Sequence, residues 1–161
     1  MNPLKDLHYA VVASDLDLNA AAANSCDSIN MKNYHACRFI VNFQTIAGAD
    51  NYVLLYSGAT DGALTSALTF RYGFGGAAYG TANADVVSTW STSANLTVTH
   101  TTYDNYMLVI DIEAAQMDLA NGEEWLTLVF ADTDTGATGN VSVVAVLKPR
   151  YVGEQAVTCF S

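Results

Sequence analysis

Apolar and polar residues alternate with a period of two along several segments of this sequence, the pattern of β-strands that have one face in a core. The clearest example is the segment 35–43, whose alternate positions put Cys37, Phe39, Val41 and Phe43 on one face. Runs of this kind are rich in β-branched and aromatic residues and are separated by Gly, Asn, Asp and Ser clusters. We predict strands at 35–43, 52–57, 68–72, 86–91, 96–99, 106–112, 125–131 and 141–148.

Two of these segments, 125–131 and 141–147, are apolar on both faces. Central strands of a sandwich have this pattern when their second face meets a loop or another subunit. Pro149 has no amide hydrogen to donate to a ladder, so it should end the last long strand. Good helix formers at 112–119 predict one helical turn. The expected fold is all-β: an antiparallel, jelly-roll-like β-sandwich of about eight strands with one or two short helical turns.

The first thirty residues differ from the rest. Residues 7–13 fit a short strand, whereas 14–19 are loop-like or form one weak helical turn. We therefore divide the chain into an N-terminal arm or edge segment, 1–30, and a sandwich domain, 31–161. An ordinary first strand followed by a loop explains the first segment equally well.

The overall charge excludes some classes of partner. The chain of 161 residues carries 16 acidic and 6 basic side chains, a net charge of −10. Phosphate backbones and anionic membranes attract basic proteins, so we expect neither nucleic acid nor membrane as a partner. Charged residues make up only 14% of the sequence, and a surface so low in charge suits contact with other subunits.

The three cysteines, Cys26, Cys37 and Cys159, are an odd number without the spacing of a disulfide scaffold. They are typical of a chain that folds in a reducing cytosol, although a bridge between Cys26 and Cys37 stays open. The segment 1–6 does not begin an export signal, so we expect no export by such a route.

Catalytic motifs are weak in this sequence. It has no Gly-x-Ser-x-Gly elbow, and His8, His35 and His100 are scattered, so we expect no enzymatic activity. Asp111 and Glu113 could pair as acid and base, but a solvent-facing strand end explains them better.

Metal motifs are incomplete, and we expect no cofactor. His35 and Cys37 lie two residues apart, on one predicted strand face, but no second pair of ligands is near in sequence. Asp132, Asp134 and Gly136 imitate the start of a calcium loop, yet Val143 stands where its final Glu belongs. A similar acidic pair, Asp15 and Asp17, has the same two readings, calcium ligands or solvated hairpin residues, and the second is the default.

A glycine-rich segment, 72–80, carries three aromatic residues: Tyr72, Phe74 and Tyr79. Aromatic side chains anchor many protein interfaces, so we predict that this segment is a mobile loop that inserts into a partner. Packing in the core is the competing interpretation. Arg150 and Tyr151 follow Pro149 at a strand end, where an interfacial or a plain surface role is equally compatible.

A run at 28–35, Ser28-Ile29-Asn30-Met31-Lys32-Asn33-Tyr34-His35, leads into an apolar strand and is followed by a Gly-containing turn at 46–49. The segments 53–63, 67–72, 106–112 and 143–151 come next along the chain. In the order and spacing of these pieces, residues 28–151 resemble small head-associated proteins of tailed bacteriophages.

This resemblance implies a capsid decoration, or cement, protein. Such a protein forms a homotrimer, binds the major capsid protein on the outside of the virion, and is made in the host bacterial cytoplasm. Three alternatives remain: a tail-tube or connector subunit, a carbohydrate-binding module using Trp90 and Trp125, and a hydrolase using His35 or His100.

Overall fold

The computed structural model describes residues 6–19, 23–132, 136–151 and 157–161. In these ranges the chain forms two antiparallel β-sheets that pack face to face. The strands are β1 (His8–Asp17), β2 (Asn24–Ser25), β3 (Ile29–Asn30), β4 (Tyr34–Phe43), β5 (Asn51–Gly58), β6 (Ser66–Ala67), β7 (Phe70–Phe74), β8 (Ser91–Ser93), β9 (Leu96–Val98), β10 (Met107–Glu113), β11 (Trp125–Asp132) and β12 (Asn140–Pro149). One helical turn, α1 (His100–Tyr103), and two 3₁₀ turns (Ala114–Gln116 and Leu119–Asn121) accompany them.

The order of the strands is that of a jelly roll. The first sheet has the order β1-β12-β4-β10-β7-β8, and the second has the order β2-β11-β5-β6, with β3 also on β11 and β9 also on β5. Along the chain β4, β10 and β12 of the first sheet alternate with β5 and β11 of the second. This exchange between two layers defines the double-sheet architecture, so the predicted fold class is confirmed.

The core lies between the two sheets and is filled by the inward-facing positions of the long strands. Phe39 and Phe43 of β4 are buried, as the alternation predicted, and the ring of Phe43 meets that of Phe130 from β11 edge to face at 6.0 Å. This geometry places the positive edge of one ring against the negative face of the other. The interior is therefore a continuous apolar layer: among its largest buried side chains are Tyr34, Phe39, Phe43, Phe70, Phe130, Ile29, Met31, Leu55, Leu108, Ile110 and Ile112.

A buried carboxylate closes one end of this core. Glu123 accepts hydrogen bonds from the hydroxyls of Ser57 at 2.6 Å and Ser66 at 3.1 Å. Ser28 and Thr127 form a second buried hydroxyl pair at 2.6 Å. Each of these polar groups has a hydrogen-bond partner, which offsets part of the cost of removing it from water.

Most predicted strands match the observed ones to within one or two residues, but two predictions are wrong. Residues 86–90 are not a strand. The strand in this part of the chain is β8, which begins at Ser91 and pairs with β7. Residues 14–17 are neither loop nor helix, because β1 continues through two irregularities of register, between Val11 and Ala13 and between Ala13 and Leu16. Asp15 occupies the left-handed region there with φ 57°.

The side chain of Asp15 stabilises this irregular part of β1. Its Oδ1 accepts hydrogen bonds from Asn140 Nδ2 at 2.7 Å and from Gln44 Nε2 at 3.2 Å. An aspartate tolerates the left-handed conformation better than most residues, and its carboxylate gains two local donors. This acid therefore serves the local backbone.

The N-terminal segment contributes to both layers. Its described residues supply β1 to the edge of the first sheet and β2 and β3 to the second. Whether 1–30 behaves as a unit separate from 31–161 stays a prediction. Among the described residues, no helix is long and apolar enough to cross a membrane.

Candidate contact face and basic groove

The outer face of the first sheet carries a row of apolar side chains. Cross-strand pairing aligns Val11 with Val144, Val144 with Ile40, and Ile40 with Val109. Val11 at the end of this row is 60% exposed, and Tyr9, two residues earlier on the same face of β1, is 53% exposed. We call the outward side chains of Tyr9, Val11, Ile40, Val144 and Val146 the contact face. Aligned apolar groups of this kind are typical of surfaces that another protein covers.

The next row across the same sheet is charged. In the register of the sheet, Asp111 of β10 lies opposite Arg38 of β4 on one side and opposite Arg71 of β7 on the other. Arg38 donates to both carboxylate oxygens of Asp111, from Nε at 2.6 Å and from Nη2 at 2.7 Å. This bidentate bond raises the pKa of the Arg38 guanidinium further above its usual range.

Trp90 lies over this charged row. The guanidinium carbon of Arg71 lies 4.5 Å from the centre of the Trp90 ring, and that of Arg38 lies 5.8 Å from it. Both distances are within the range of cation–π attraction. The Trp90 indole therefore packs against the guanidinium groups of two arginines whose backbones belong to the sheet.

Gly73 leaves room for the segment that carries Trp90. A Cβ atom at Gly73 would lie 2.4 Å from Val87 Cγ1 and 3.4 Å from Trp90 Cδ2. The missing side chain lets the segment 86–90 lie flat on β7. That segment covers one side of the outer face and leaves the side formed by β1, β12 and β4 open.

A groove of about 390 Å³ opens beside the charged row. Arg38, Arg71 and Lys148 line it together with the acids Asp111 and Glu113. Three of the six basic residues of the chain thus meet in one depression of a protein with a net charge of −10. We call this depression the basic groove.

The five residues predicted as interface contacts divide into two groups. Tyr72 and Phe74 belong to β7 and are half-buried against the core, so the mobile loop predicted for them is wrong: the strand continues through Gly73. Tyr79 is 62% exposed and Tyr151 is 72% exposed. Arg150 donates from Nε to the carbonyl of Tyr34 at 3.0 Å. Their roles as contacts stay predictions.

Tyr79 and Arg150 lie at opposite ends of the first sheet's outer face. Tyr79 lines a depression with Asn42, an outward residue of β4. Arg150 lines another with Lys148, which also belongs to the basic groove. Tyr79 and Arg150 therefore lie on either side of the contact face, which the sequence pattern did not predict.

The expected arrangement of His35 and Cys37 on one face is wrong. His35 is exposed and Cys37 is buried, because the pairing of β4 with β12 shifts register between Lys148 and Pro149. This bulge moves Tyr34 into the core and His35 out of it. Among the described residues, no three His, Cys, Asp or Glu side chains are grouped as metal ligands.

The other candidate chemical groups have local partners. Asp132 accepts from the amide of Ala137 at 3.0 Å, while Asp134 lies outside the described residues. Asp50 accepts from both the amide and Nδ1 of His100, and these bonds lower the pKa of its carboxyl. The ends of α1 and β5 are joined by this contact.

All three cysteines are free and buried. Burial raises the pKa of Cys26 to about 12 and raises those of Cys37 and Cys159 as well. The sulfur of Cys159 lies 3.7 Å from His8 Nε2, whose ring also meets Tyr34 edge to face. The side chain of Cys159 is buried in this group.

We expect the thiols of the native protein to resist modification at pH 8. The thiolate is the reactive form, and raised pKa values together with burial suppress it. The test is the rate of reaction with a chromogenic disulfide reagent, with and without denaturant. Three fast equivalents in denaturant and less than one in the native protein are expected, and fast native reaction of any thiol would contradict it.

No protein-family model matches the sequence, and no curated protein is significantly similar to it. Among solved structures, the SPBc2 prophage-derived protein YomS is 8% identical with a TM-score of 0.44, covering 88% of this chain and 92% of its own. The Tobacco streak virus coat protein is 10% identical with a TM-score of 0.29, covering 91% and 90%. A protein of the T13 IBDV viral particle is 11% identical with a TM-score of 0.22, covering 93% and 44%. At these low scores the likenesses carry no argument about the function of this chain.

Proposed function

We propose that this protein is a structural component of a bacteriophage virion, and specifically a capsid decoration protein that binds the major capsid protein through the contact face. The proposal includes a homotrimer placed on the outside of the head and made in the host bacterial cytoplasm. The proposal is supported by the resemblance of the segment 28–151 to head-associated phage proteins. It is also supported by the jelly-roll fold, an architecture common among viral capsid domains.

One observation carries the proposal: a regular sheet presents aligned apolar side chains to the outside. The inner faces of both sheets are fully used by the core, whereas Tyr9 and Val11 remain exposed on the outer face of the first. Apolar side chains gain free energy when another surface covers them. A rigid strand surface also loses little conformational entropy on binding.

The test is co-sedimentation of the purified protein with undecorated capsids. The wild-type protein should bind at micromolar concentration, and Val11→Asp should weaken binding at least about tenfold, since it places a charge in a covered apolar contact. Leu64→Asp is the matched control, because Leu64 is also an exposed apolar residue but lies between β5 and β6 of the second sheet. Its affinity should equal that of the wild type.

Two outcomes would contradict the proposal. The first is a wild-type protein that does not bind capsids at micromolar concentration. The second is equal weakening by both variants, which would place the contact elsewhere. Circular dichroism of each variant establishes that the β fold is intact.

The alternative functions predict different experimental results. A tail-tube or connector subunit would form rings or tubes in electron micrographs and would not bind capsids. A carbohydrate-binding module would give specific signals on a glycan array. Stacking of a sugar on Trp90 would have to compete with Arg71, which already lies over that ring.

A further inference from the structure

We infer that the basic groove is a carboxylate-binding site, in which Arg71, held by Trp90, receives an acidic side chain of a partner polypeptide. That the partner belongs to the capsid rests on the proposed function. The site itself rests on three features of the groove: an uncommitted cation, a rigid support for it, and a local charge opposite to that of the whole chain.

The first feature is the unequal sharing of Asp111. This carboxylate lies between Arg38 and Arg71 in the register of the sheet, but both of its oxygens accept hydrogen bonds from Arg38. Within the described ranges, Arg71 forms no ion pair with any acid. Its guanidinium therefore keeps its hydrogen-bond donors for another acceptor, and a carboxylate fits their planar fork.

The second feature is the fixed position of Arg71. Its backbone belongs to β7, between β10 and β8, and its guanidinium lies 4.5 Å from the centre of the Trp90 ring. Trp90 in turn belongs to a segment that lies against Gly73, where a Cβ atom would meet Val87 Cγ1 at 2.4 Å and the carbonyl oxygen of Thr89 at 2.8 Å. An arginine that is already held in place loses less conformational freedom when it binds a carboxylate.

The third feature is the local balance of charge. The charged groups that line the groove are three cations, Arg38, Arg71 and Lys148, and two acids, Asp111 and Glu113. The groove has a surplus of one positive charge, while the chain as a whole carries −10. A single carboxylate is attracted to this surplus, whereas a polyanion such as nucleic acid would meet the negative field of the rest of the molecule.

The remaining walls suit the stem of an acidic side chain. Leu7, Val146 and Ile112 line the groove beside the cations. Gln116 is already engaged, since its Nε2 donates to the carbonyl of Thr69 and its Oε1 accepts from the amide of Glu113. Because Val146 also belongs to the contact face, one partner could cover the apolar row and place an acid in the groove.

The direct test uses a blocked peptide with one acidic side chain, N-acetyl-Ala-Glu-Ala-amide, as the probe and follows the indole resonance of Trp90 by NMR at low ionic strength. The resonance should shift in the wild type, and Arg71→Gln should weaken the response about tenfold, as expected for a lost charge-assisted bond. Lys32→Gln is the control, because it removes the same charge from an exposed position outside the groove. No shift at millimolar concentrations of this peptide, or equal weakening by both substitutions, would overturn the inference.

The second test measures capsid binding at two salt concentrations. Arg71→Gln should lower the affinity about fivefold to tenfold at low salt and less at high salt, because screening reduces the attraction of exposed charges. If Val11→Asp loses binding and Arg71→Gln does not, the proposed function stands and the carboxylate site falls. If the single-glutamate peptide binds but capsids do not, the site stands and the capsid role falls.

Discussion

Replacement of Phe43 by alanine should lower the free energy of unfolding by about 3–5 kcal/mol. Phe43 is fully buried near the end of β4, and its ring meets that of Phe130 across the two sheets at 6.0 Å. The loss combines the transfer of the ring from water, the cavity that remains, and the edge-to-face contact, which alone contributes about 0.5–1.5 kcal/mol. Urea unfolding followed by far-UV circular dichroism measures it.

Two controls separate packing from the general effect of substitution. Phe43→Leu keeps most of the volume and should cost clearly less than Phe43→Ala, while Tyr9→Ala changes an exposed ring and should stay within about 0.5 kcal/mol. A loss below about 1 kcal/mol for Phe43→Ala would show that the two sheets are not packed through this pair.

Gly139→Ala is the second substitution with a large expected effect, a loss of roughly 2–5 kcal/mol in the free energy of unfolding. Gly139 has φ +119° directly before β12, a conformation that an L side chain rarely adopts. A Cβ atom there would also lie 2.3 Å from the carbonyl oxygen of Thr45 and 3.0 Å from Ile46 Cα. Backbone strain of about 1–2 kcal/mol and overpacking of about 1–3 kcal/mol therefore combine.

Gly122→Ala is the matched control for that experiment. Gly122 also has a positive φ, 74°, but no atom lies within 4 Å of the position of an added Cβ. It should show the strain alone, about 1–2 kcal/mol. Equal losses at the two glycines in thermal or urea unfolding would mean that the contact with Thr45 has no energetic weight.

The sequence predicts the long strands well because their periodicity comes directly from burial. β4 and β11 carry strong patterns, and the observed strands extend them by only one residue. β1 was cut short because Asp15 and two register irregularities interrupt the alternation after Val11. A local pattern cannot show that a strand resumes after a bulge.

The segment 86–90 shows the opposite error. Its valines, threonine and tryptophan have high β-propensity, which predicted a strand. In the fold these residues gain their contacts by lying on Gly73, outside any ladder. A high β-propensity indicates that a side chain fits a half-buried surface. For residues 86–90 that surface is the outer face of the first sheet, so the segment packs on the sheet without joining it.

The candidate site was largely hidden in the sequence because it depends on register. Arg38, Arg71 and Asp111 come from three strands that are far apart in the chain, and only the pairing of β10 with both β4 and β7 brings them into one row. The sequence offers one signal for this site. The chain has only six basic residues, so two of them on the same face of one sheet mark a local departure from the negative charge of the chain. The glycines around Tyr72 and Phe74 are typical of a loop and predict one there, but β7 continues through Gly73 to Phe74.

The position of β12 has a consequence for biosynthesis. This strand is the last in chain order of the twelve in the described ranges, yet it lies between β1 and β4 and pairs with both. Until the ribosome has released residues 140–149, β1 has no neighbour and the first sheet remains split. Until β12 emerges, nascent chains must therefore keep apolar strand surfaces unpaired, and this exposure favours slow synthesis at low temperature or chaperone protection.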